Sequence, residues 1–508
     1  MVSIIDNRPG PQVPNPFNMA EHVLRASTSR HPDKMALQII RPTGAERWSY
    51  SRLLTAVQGC AAGLVKLGLD PGDRILMRLG NQVEFPMLFL GALAAGMVPV
   101  ATSSQLTRAE ITPMANRVNP KLIVGADGIS LPDHPALVIA DLDIRLMERL
   151  EPADFHQGEP DRPGYIIFTS GTSGTPMAVV HAHRAILARQ MMHQGWEGLD
   201  ESDRLLHAGA FNWTYTLGTG LMDPWTVGAT ALIPGAGVDP TQLPLLLKRF
   251  DATIFAAAPG VYRQMLKTQI PKLPRLRHGL SAGEKMSEET REAWQAATGT
   301  PICEALGMSE VSTFISAAPD RPAPIGSTGF AQPGRRIAAL DEDFKAVPWN
   351  EAGQLAVDRT DTGLMLGYLD APDTTADRFR GDWFLTGDTV SISEQGAVTY
   401  LGRSDDQMNA GGYRVSPAEV EAAIAKCPGV TEAAVTEIEV KPGVTIIACF
   451  YTGPDLVEEE TLKAHAAVHL ARYKQPRAYK HLDALPRNAN SKLNRRALRA
   501  MGLESSYP

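Results

Sequence analysis

The pattern of apolar and polar positions alternates, from Asp70 onward, between short runs that favour strands and longer runs that favour helices. The pattern predicts strands at 74–78, 98–101 and 121–124, with a helix at 83–95 between the first two. Strands that alternate with helices are typical of crossover units on a largely parallel sheet.

The same alternation returns after residue 200. The pattern predicts strands at 230–233 and 252–257 and helices at 240–249 and 260–267. A second series of crossover units is therefore expected to follow the first.

The pattern changes after Leu355, where a strand-like run at 396–401 lies among Gly-Asp turns. From Ser416 onward the sequence predicts a short α+β region, with a helix at 417–425 and an apolar strand-like run at 444–450. The predicted arrangement of strands and helices therefore differs between the N-terminal and C-terminal parts of the chain.

We predict an α/β fold in two parts. A large N-terminal domain of several subdomains with mostly parallel sheets is expected at 1–401, and a small, mobile α+β C-terminal domain at 407–508. Residues 402–406 are the predicted hinge between them.

The composition is that of an ordinary globular protein. The 508 residues exceed the size of one compact core, and 44% of them are hydrophobic and 21% charged. A net charge of -7 with a pI near 6.0 provides no basic field that would attract nucleic acid. We therefore expect no nucleic-acid partner.

The four cysteines lie far apart and show no metal-binding spacing. The first 17 residues lack the cationic and apolar segments of a signal peptide. The most apolar stretch, 85–100, is shorter than a typical membrane span and is interrupted by glycine and proline. We expect a cytoplasmic protein without a membrane span.

Residues 168–176, Phe-Thr-Ser-Gly-Thr-Ser-Gly-Thr-Pro, include the end of an apolar strand predicted at 165–168. Four hydroxyl side chains and two glycines in 169–174 offer donors with little steric bulk, which suits a polyphosphate. A surface Ser/Thr-Gly turn is the alternative on composition alone. The stretch is not a Walker loop, because the GxxxxGK[ST] pattern is absent.

This stretch resembles the phosphate-loop signature of the adenylate-forming superfamily, which includes acyl-CoA synthetases, luciferases and non-ribosomal adenylation domains. Further segments resemble the superfamily's other motifs in the same order, at 281–284, 306–310, 367–368, 383–388, 402–406 and 486–492. The resemblance covers nearly the whole chain, and so many ordered segments argue against chance.

The resemblance implies a set of residues for ATP. The phosphates would contact Thr169, Ser170, Gly171, Thr172, Ser173, Gly174 and Ser309, and Glu310 would be a catalytic carboxylate that holds magnesium. The adenine and ribose would contact Gly283, Glu284, Glu304, Ala305, Leu306, Asp388 and Arg403. Leu306 replaces the usual tyrosine, so aliphatic packing would replace aromatic stacking. Taken singly, Glu310 also fits a helix cap and Asp388 an ordinary turn.

The C-terminal loop at 485–492 resembles the loop that carries the superfamily's catalytic lysine. The resemblance implies that Lys492 stabilises the anionic transition state of adenylation as a mobile point charge. It also implies that Asp405 is the hinge residue, and that a rotation presents Gly411, Gly412 and Tyr413 to the thiol of coenzyme A. Without the resemblance, Lys492 would be taken for a surface charge.

One departure lies in the phosphate loop, where the superfamily ordinarily has Pro-Lys-Gly and this chain has Pro176, Met177 and Ala178. The missing lysine removes one positive charge from the pyrophosphate side. Since backbone amides and Mg²⁺ remain in the implied site, we expect weaker ATP binding rather than lost chemistry. The departure also leaves open a non-catalytic ligand-binding homologue.

The clue to the acid comes from residues 211–221, whose Tyr-x-Leu-Gly-x-Gly-Leu portion is similar to benzoate-CoA ligases. Trp213, Tyr215 and Gly307 are the predicted acyl pocket, with core packing as the alternative for the two aromatic rings. An aryl or short-to-medium-chain acid is favoured over a long-chain fatty acid.

The resemblance thus implies an AMP-forming acid–CoA ligase that uses ATP, Mg²⁺, coenzyme A and a small carboxylic acid. A stand-alone adenylation enzyme that loads a carrier protein is the alternative within the superfamily. The oligomeric state stays open, a homodimer included.

Overall fold

The structure is a computed structural model that describes residues 2–169, 176–403, 408–410, 413–441, 444–470, 472–487 and 493–502. The chain divides into two compact units. The large unit comprises Ile5–Ile337 and Val357–Phe384, and the small unit comprises Met1–Ile4, Ala338–Ala356 and Leu385–Pro508. The domain bounds and hinge expected from the sequence stay predictions, since 404–407 lie outside the described residues.

Strands and helices alternate along most of the described chain. The strands are β1 Ile4–Asp6, β2 Met35–Arg41, β3 Gly44–Ser49, β4 Arg74–Arg78, β5 Val98–Ala101, β6 Leu122–Gly125, β7 Leu137–Ala140, β8 Pro163–Thr169, β9 Met177–Ala182, β10 Arg204–His207, β11 Thr230–Pro234, β12 Ile254–Ala257, β13 His278–Ala282, β14 Ile302–Met308, β15 Ser312–Ser316, β16 Gly329–Ala331, β17 Arg336–Leu340, β18 Ala352–Asp358, β19 Gly367–Tyr368, β20 Phe379–Arg380, β21 Trp383–Ile392, β22 Ala397–Arg403, β23 Met408–Ala410, β24 Tyr413–Val415, β25 Glu432–Lys441, β26 Val444–Thr452 and β27 Ala478–His481. The α-helices are α1 Met19–Arg30, α2 Tyr50–Lys66, α3 Glu84–Ala94, α4 Arg108–Val118, α5 Asp141–Met147, α6 Gln190–Gly195, α7 Asp223–Val227, α8 Leu243–Arg249, α9 Pro259–Met265, α10 Glu288–Thr298, α11 Pro372–Ala376, α12 Pro417–Ile424, α13 Glu459–His469 and α14 Arg495–Met501. Short 3₁₀ segments lie at His183–Arg189, Pro240–Gln242 and Arg472–Lys474, and a π-helical segment at Thr216–Met222.

The alternation predicted after Asp70 is confirmed. The long apolar run after β4 forms α3, every residue of which is buried, and the chain returns in β5. Strand β4 lies between β5 and β6 and pairs in parallel with both. Because α3 has no polar face, it packs in the interior rather than at the surface.

One predicted helix, at 240–249, is split in the structure. A 3₁₀ turn at Pro240–Gln242 precedes α8, and Asp239 caps that turn by accepting a bond from the backbone N–H of Thr241. Pro244 lies in the first turn of α8, where its missing N–H costs no helical hydrogen bond. The other predicted helices and strands differ from the observed bounds by at most two residues at either end.

The first sheet of the large unit has the strand order β19-β9-β8-β5-β4-β6-β7. The strands from β8 to β7 run parallel, whereas β8 and β9 form an antiparallel hairpin. At the loop end of this hairpin Thr169 pairs with Met177. The predicted phosphate loop therefore connects two paired strands of one sheet.

Part of the larger sheet belongs to the large unit. In this part the strand order is β16-β15-β14-β13-β12-β10-β11-β2-β3. The strands from β14 to β2 run parallel. In such sheets the carboxyl ends of the strands share one edge, and ligands bind in the crevice beyond it. This edge carries the ends of β10, β13 and β14, from which the predicted adenine and acyl-pocket residues extend.

The small unit confirms the α+β region predicted from Ser416. Strand β25 pairs antiparallel with β26, which pairs in parallel with β27. Neighbouring residues Ala434 and Val435 of β25 belong to separate apolar clusters, because successive strand residues point to opposite faces. Helices α12 and α13 cover one face through Val420 and Leu462, and α14 covers the other through Leu498.

None of the described helices is both long and apolar enough to cross a bilayer. Cys60, Cys303, Cys427 and Cys449 are all buried free thiols. Burial raises the pKa of Cys60 and Cys303 to about 12, so that both stay protonated at neutral pH.

Candidate active site

The predicted phosphate loop begins at Thr169, the last residue of β8, and ends before Met177, the first residue of β9. The pairing of these two residues closes the base of the loop. Residues 170–175 lie outside the described residues. The phosphate contacts therefore stay predictions for Ser170, Gly171, Thr172, Ser173 and Gly174.

Ser309 is held by the same hairpin. The Nε2 atom of His181, on β9, lies 2.7 Å from the backbone carbonyl oxygen of Ser309. Burial lowers the pKa of His181 to about 4, so its ring is neutral at neutral pH and the Nε2–H tautomer donates this bond. Strand β9, which follows the phosphate loop, is thus bonded to Ser309, the residue before the predicted metal ligand Glu310.

Glu310 is fixed by Tyr368, which lies in the motif at 367–368 and for which the sequence predicts no role. The hydroxyl of Tyr368 donates to Oε1 of Glu310 at 2.7 Å, and the Glu310 residue is only 8% exposed. Tyr368 reaches it because β19 pairs with β9, with Tyr368 opposite Val179. The structure therefore brings three segments, the hairpin, Ser309–Glu310 and β19, to one place.

The predicted adenine residues lie together at the edge of the larger sheet. Strands β13 and β14 pair in parallel with Ala282 opposite Ala305, so that Gly283 follows β13 beside Leu306 on β14. Glu284 is half-buried next to them. These backbones form the edge against which a flat base would pack.

Glu304 differs from its neighbours because its side chain faces helix α10. The carboxylate forms an ion pair with Arg291 and accepts a bond from the backbone N–H of Met286 at 3.3 Å. Burial raises the pKa of Glu304 to about 7, although Arg291 acts in the opposite direction. Any adenine contact of Glu304 would therefore come from its backbone.

Gly307 lies where β14 closely approaches β15. The register of the two strands shifts between Leu306 and Gly307, and a Cβ atom at 307 would lie 2.6 Å from the backbone oxygen of Ser312. Glycine is needed here for packing between strands. Its predicted part in the acyl pocket stays a prediction.

Trp213 lies against the predicted adenine segment. Gly283 has a φ of +98°, and a Cβ atom there would come within 2.7 Å of Cζ2 of Trp213. The Trp213 ring meets the Tyr215 ring edge to face, with 5.2 Å between centroids. Tyr215 is itself buried, and its hydroxyl donates a hydrogen bond to the carbonyl oxygen of Leu280 at 3.0 Å. Tyr215 is therefore also part of the packed core.

His207, at the end of β10, is a residue that sequence reasoning missed. Its ring lies edge-on to Tyr215 with 4.3 Å between centroids, and it is fully buried. Burial lowers the pKa of His207 to about 3, so the imidazole is neutral at neutral pH. A single histidine at a strand end carried no sequence signal.

The π-helical segment Thr216–Met222 packs against a buried ion pair. Arg189 donates to both carboxylate oxygens of Asp223, at 2.8 and 2.5 Å. Burial opposes ionisation of Asp223, but Arg189 outweighs it and holds the pKa of that carboxyl well below its usual range. A side chain at Gly218 would collide with the Arg189 guanidinium, which explains the glycine of the Tyr-x-Leu-Gly motif.

In the small unit the two predicted ribose residues are paired. Asp388 on β21 lies opposite Arg403 on β22, and Nη1 of Arg403 is 3.3 Å from Oδ1 of Asp388. The backbone N–H of Asp388 donates to Oγ1 of Thr386 at 3.1 Å, across Gly387, whose φ is +76°. Asp388 is 6% exposed, so its carboxylate is fixed and largely desolvated.

The remaining predicted residues fall mostly outside the described residues. Tyr413 begins β24 opposite Ala410, and Arg487 and Leu493 form an isolated antiparallel bridge. The roles stay predictions for Asp405, Gly411, Gly412, Tyr413 and Lys492.

Comparison with known families matches both parts of the chain. Residues 24–369 match the AMP-binding enzyme family, and residues 419–492 match the AMP-binding enzyme C-terminal domain. A benzoate–CoA ligase of Thauera aromatica is 31% identical over 487 residues, which cover 90% of this chain and 91% of that protein. A mitochondrial acyl-coenzyme A synthetase of Rattus norvegicus is 28% identical and covers 96% of this chain and 91% of its own length.

Among solved structures, an anthranilate CoA ligase in complex with anthranoyl-AMP has the same architecture. Its TM-score is 0.88 at 25% sequence identity, over 96% of this chain and 98% of that one. The α/β fold predicted from the sequence is thereby confirmed.

Proposed function

The chain belongs to the AMP-binding enzyme family, and we propose that it activates a compact aryl carboxylic acid. It is an AMP-forming acid–CoA ligase with ATP, a carboxylic acid and coenzyme A as substrates. The identity of the acid and the roles of single residues are the proposal.

The position of Trp213 carries the aryl assignment. Its half-buried ring packs against the apolar cluster around Trp196 and Leu280 and reaches the backbone at Gly283. A rigid flat wall beside the segment assigned to adenine suits a planar acyl group better than a long flexible chain. Two of the similar proteins are, by name, ligases of the aryl acids benzoate and anthranilate.

The proposed reaction has two steps. A carboxylate oxygen of the acid attacks the α-phosphorus of ATP, and the bond to the β-phosphate oxygen breaks, which releases pyrophosphate and leaves an acyl-adenylate. The sulfur of coenzyme A then attacks the acyl carbon, the bond to the AMP oxygen breaks, and the thiol proton is lost to solvent. Lys492 would stabilise charge in the first step, and Asp388 with Arg403 would bind the ribose.

Glu310 is the residue proposed to hold Mg²⁺. Its carboxylate is a hard oxygen ligand, and the hydrogen bond from Tyr368 fixes its orientation. Magnesium bound there would supply positive charge to the phosphates. The residues present therefore fit the ion.

A cytoplasmic location is part of the proposal, because ATP and coenzyme A are available there. Cell fractionation tests it. The oligomeric state, a homodimer included, is measured by sedimentation.

A panel of acids tests the assignment. Benzoate, anthranilate and 3-hydroxybenzoate are compared with hexanoate, octanoate and palmitate, and pyrophosphate exchange, AMP release and thioester formation are measured. We expect exchange without coenzyme A, and a kcat/KM for the best aryl acid at least about 10-fold above that for octanoate. A preference for octanoate or palmitate would overturn the aryl assignment. Exchange without thioester would favour the carrier-protein alternative, and no exchange with any acid would favour a non-catalytic homologue.

A pair of tryptophan variants tests whether Trp213 itself determines the preference for aryl acids. Trp213→Leu should reduce the ratio of aryl to alkyl kcat/KM, because the flat wall is lost. Trp383→Leu is the matched control, since Trp383 is also half-buried but stacks on the guanidinium of Arg336. An unchanged ratio in Trp213→Leu would remove this residue from the acyl pocket.

A further inference from the structure

The predicted phosphate loop contains no cation of its own. Residues 169–178 include neither lysine nor arginine, and Met177 stands where the superfamily has lysine. Backbone amides and hydroxyls can bind a polyphosphate, but bonds from a charged donor are shorter and about twice as strong. A cation from another part of the chain would complete such a site.

Arg117 lies at the base of this loop. It belongs to the last turn of α4, and its Nη1 atom is 3.4 Å from the carbonyl oxygen of Pro176 and 3.5 Å from Sδ of Met177. Met177 is in turn paired with Thr169, the first residue assigned to the phosphates. The guanidinium therefore touches the position from which the lysine is missing.

Helix α4 is held firmly against the hairpin. Ile111 and Val118 of the helix share one apolar cluster with Ile166 of β8 and Ala178 of β9. The helix begins with a reciprocal pair of hydrogen bonds between Thr107 and Glu110. The position of Arg117 is thus set by packing on both strands that flank the loop.

No described carboxylate neutralises the charge of Arg117. Within the part of the chain that the structure describes, no carboxylate forms an ion pair with it, and the side chain is half-buried. A guanidinium that contacts Pro176 and Met177 and has further N–H donors suits an anionic oxygen ligand.

We propose that Arg117 binds the β- and γ-phosphates of ATP and so supplies the charge that Met177 does not. This inference rests on the proposed assignment of residues 169–174 as the phosphate loop. The expectation of weaker ATP binding is then replaced by the expectation that Arg117, outside the loop, provides the missing positive charge.

Met177 and Arg117 are suited to each other. A methionine places a neutral thioether against the guanidinium, whereas a lysine would bring a second cation to the same place, where like charges repel. We therefore expect Met177→Lys to help ATP binding little in the natural chain, and much more once Arg117 has been removed.

Binding of ATP and of AMP to the full chain, measured by calorimetry, tests the proposal without need of the acid. Arg117→Ala should weaken ATP binding about 10- to 100-fold, the scale of one or two charge-assisted hydrogen bonds. AMP lacks the β- and γ-phosphates, so its affinity should change less than about 2-fold. Arg117→Lys should retain part of the ATP affinity, because it keeps the charge but not the fork of donors.

Two further variants separate the charge from general damage. Arg108→Ala removes an exposed arginine from the same helix and should leave both affinities unchanged. The double variant Arg117→Ala with Met177→Lys should recover most of the ATP affinity. Thioester formation from a synthetic acyl-adenylate, in which no pyrophosphate takes part, should be unaffected in Arg117→Ala.

Equal losses of ATP and AMP affinity in Arg117→Ala would mean a structural role and would overturn the proposal. Unchanged ATP affinity would also overturn it. If the natural chain shows the expected ATP and AMP binding but no acid supports pyrophosphate exchange, the proposed function fails while the role of Arg117 stands.

Discussion

Asp388 allows a direct test of how the small unit contributes to nucleotide binding. In the proposal its carboxylate accepts both ribose hydroxyls, while Arg403 lies 3.3 Å from Oδ1 and is not at the optimal distance of a charged pair. A carboxylate has about four acceptor positions, which gives it the capacity to accept both ribose hydroxyls. Asp388→Ala removes that capacity.

The magnitude follows from burial. Asp388 is 6% exposed, so a hydroxyl that donates to it forms a hydrogen bond to a desolvated charge, worth about 1.5–3 kcal/mol. Replacing ATP with 2′-deoxy-ATP removes one such bond. In the natural chain kcat/KM should therefore fall about 10- to 150-fold with the deoxy nucleotide.

The assay is pyrophosphate exchange with saturating acid, with ATP and 2′-deoxy-ATP compared in each variant. In Asp388→Ala the two nucleotides should differ by less than about 2-fold, because the acceptor of the 2′-hydroxyl is gone, although both should react more slowly. Glu419→Ala is the control. It removes a carboxylate of the same unit that forms an ion pair with Lys474, and it should keep the full discrimination.

Equal discrimination in the natural chain and in Asp388→Ala would refute the reasoning, because the 2′-hydroxyl would then have another acceptor. Loss of discrimination in Glu419→Ala as well would point to a general disturbance of the small unit.

Two other predictions concern the catalytic lysine and acid stability. Lys492→Ala should slow adenylation about 10²- to 10³-fold but leave thioester formation from synthetic acyl-adenylate nearly unchanged, and equal losses in a folded protein would contradict the assignment. Burial lowers the pKa of His183 and His207 from 6.5 to about 3, so the unfolded chain binds protons that the folded chain excludes. The stability contributed by the neutral rings is complete above pH 6.5 and falls as the pH drops toward 3, by about 3 kcal/mol for the two at about pH 5.5. Urea midpoints at pH 7.5 and 5.5 measure the loss, and a His183→Asn variant should show a smaller drop.

The sequence by itself determined the architecture and the order of the motifs. Alternating apolar runs predicted the parallel sheets, and the observed strand β5 has the predicted bounds. The resemblance also assigned Asp388 and Arg403 to the nucleotide, and the structure places the two residues opposite each other on β21 and β22.

Only the tertiary structure decided which distant side chains meet. Tyr368 reaches Glu310, and Arg117 reaches Met177, because strand pairing and helix packing join segments about 60 residues apart. Glu304 was assigned to the adenine site by its motif, yet its carboxylate forms an ion pair with Arg291. A motif records residue types at fixed spacing, whereas a contact depends on strand order, register and the direction of each side chain, which the whole fold sets at once.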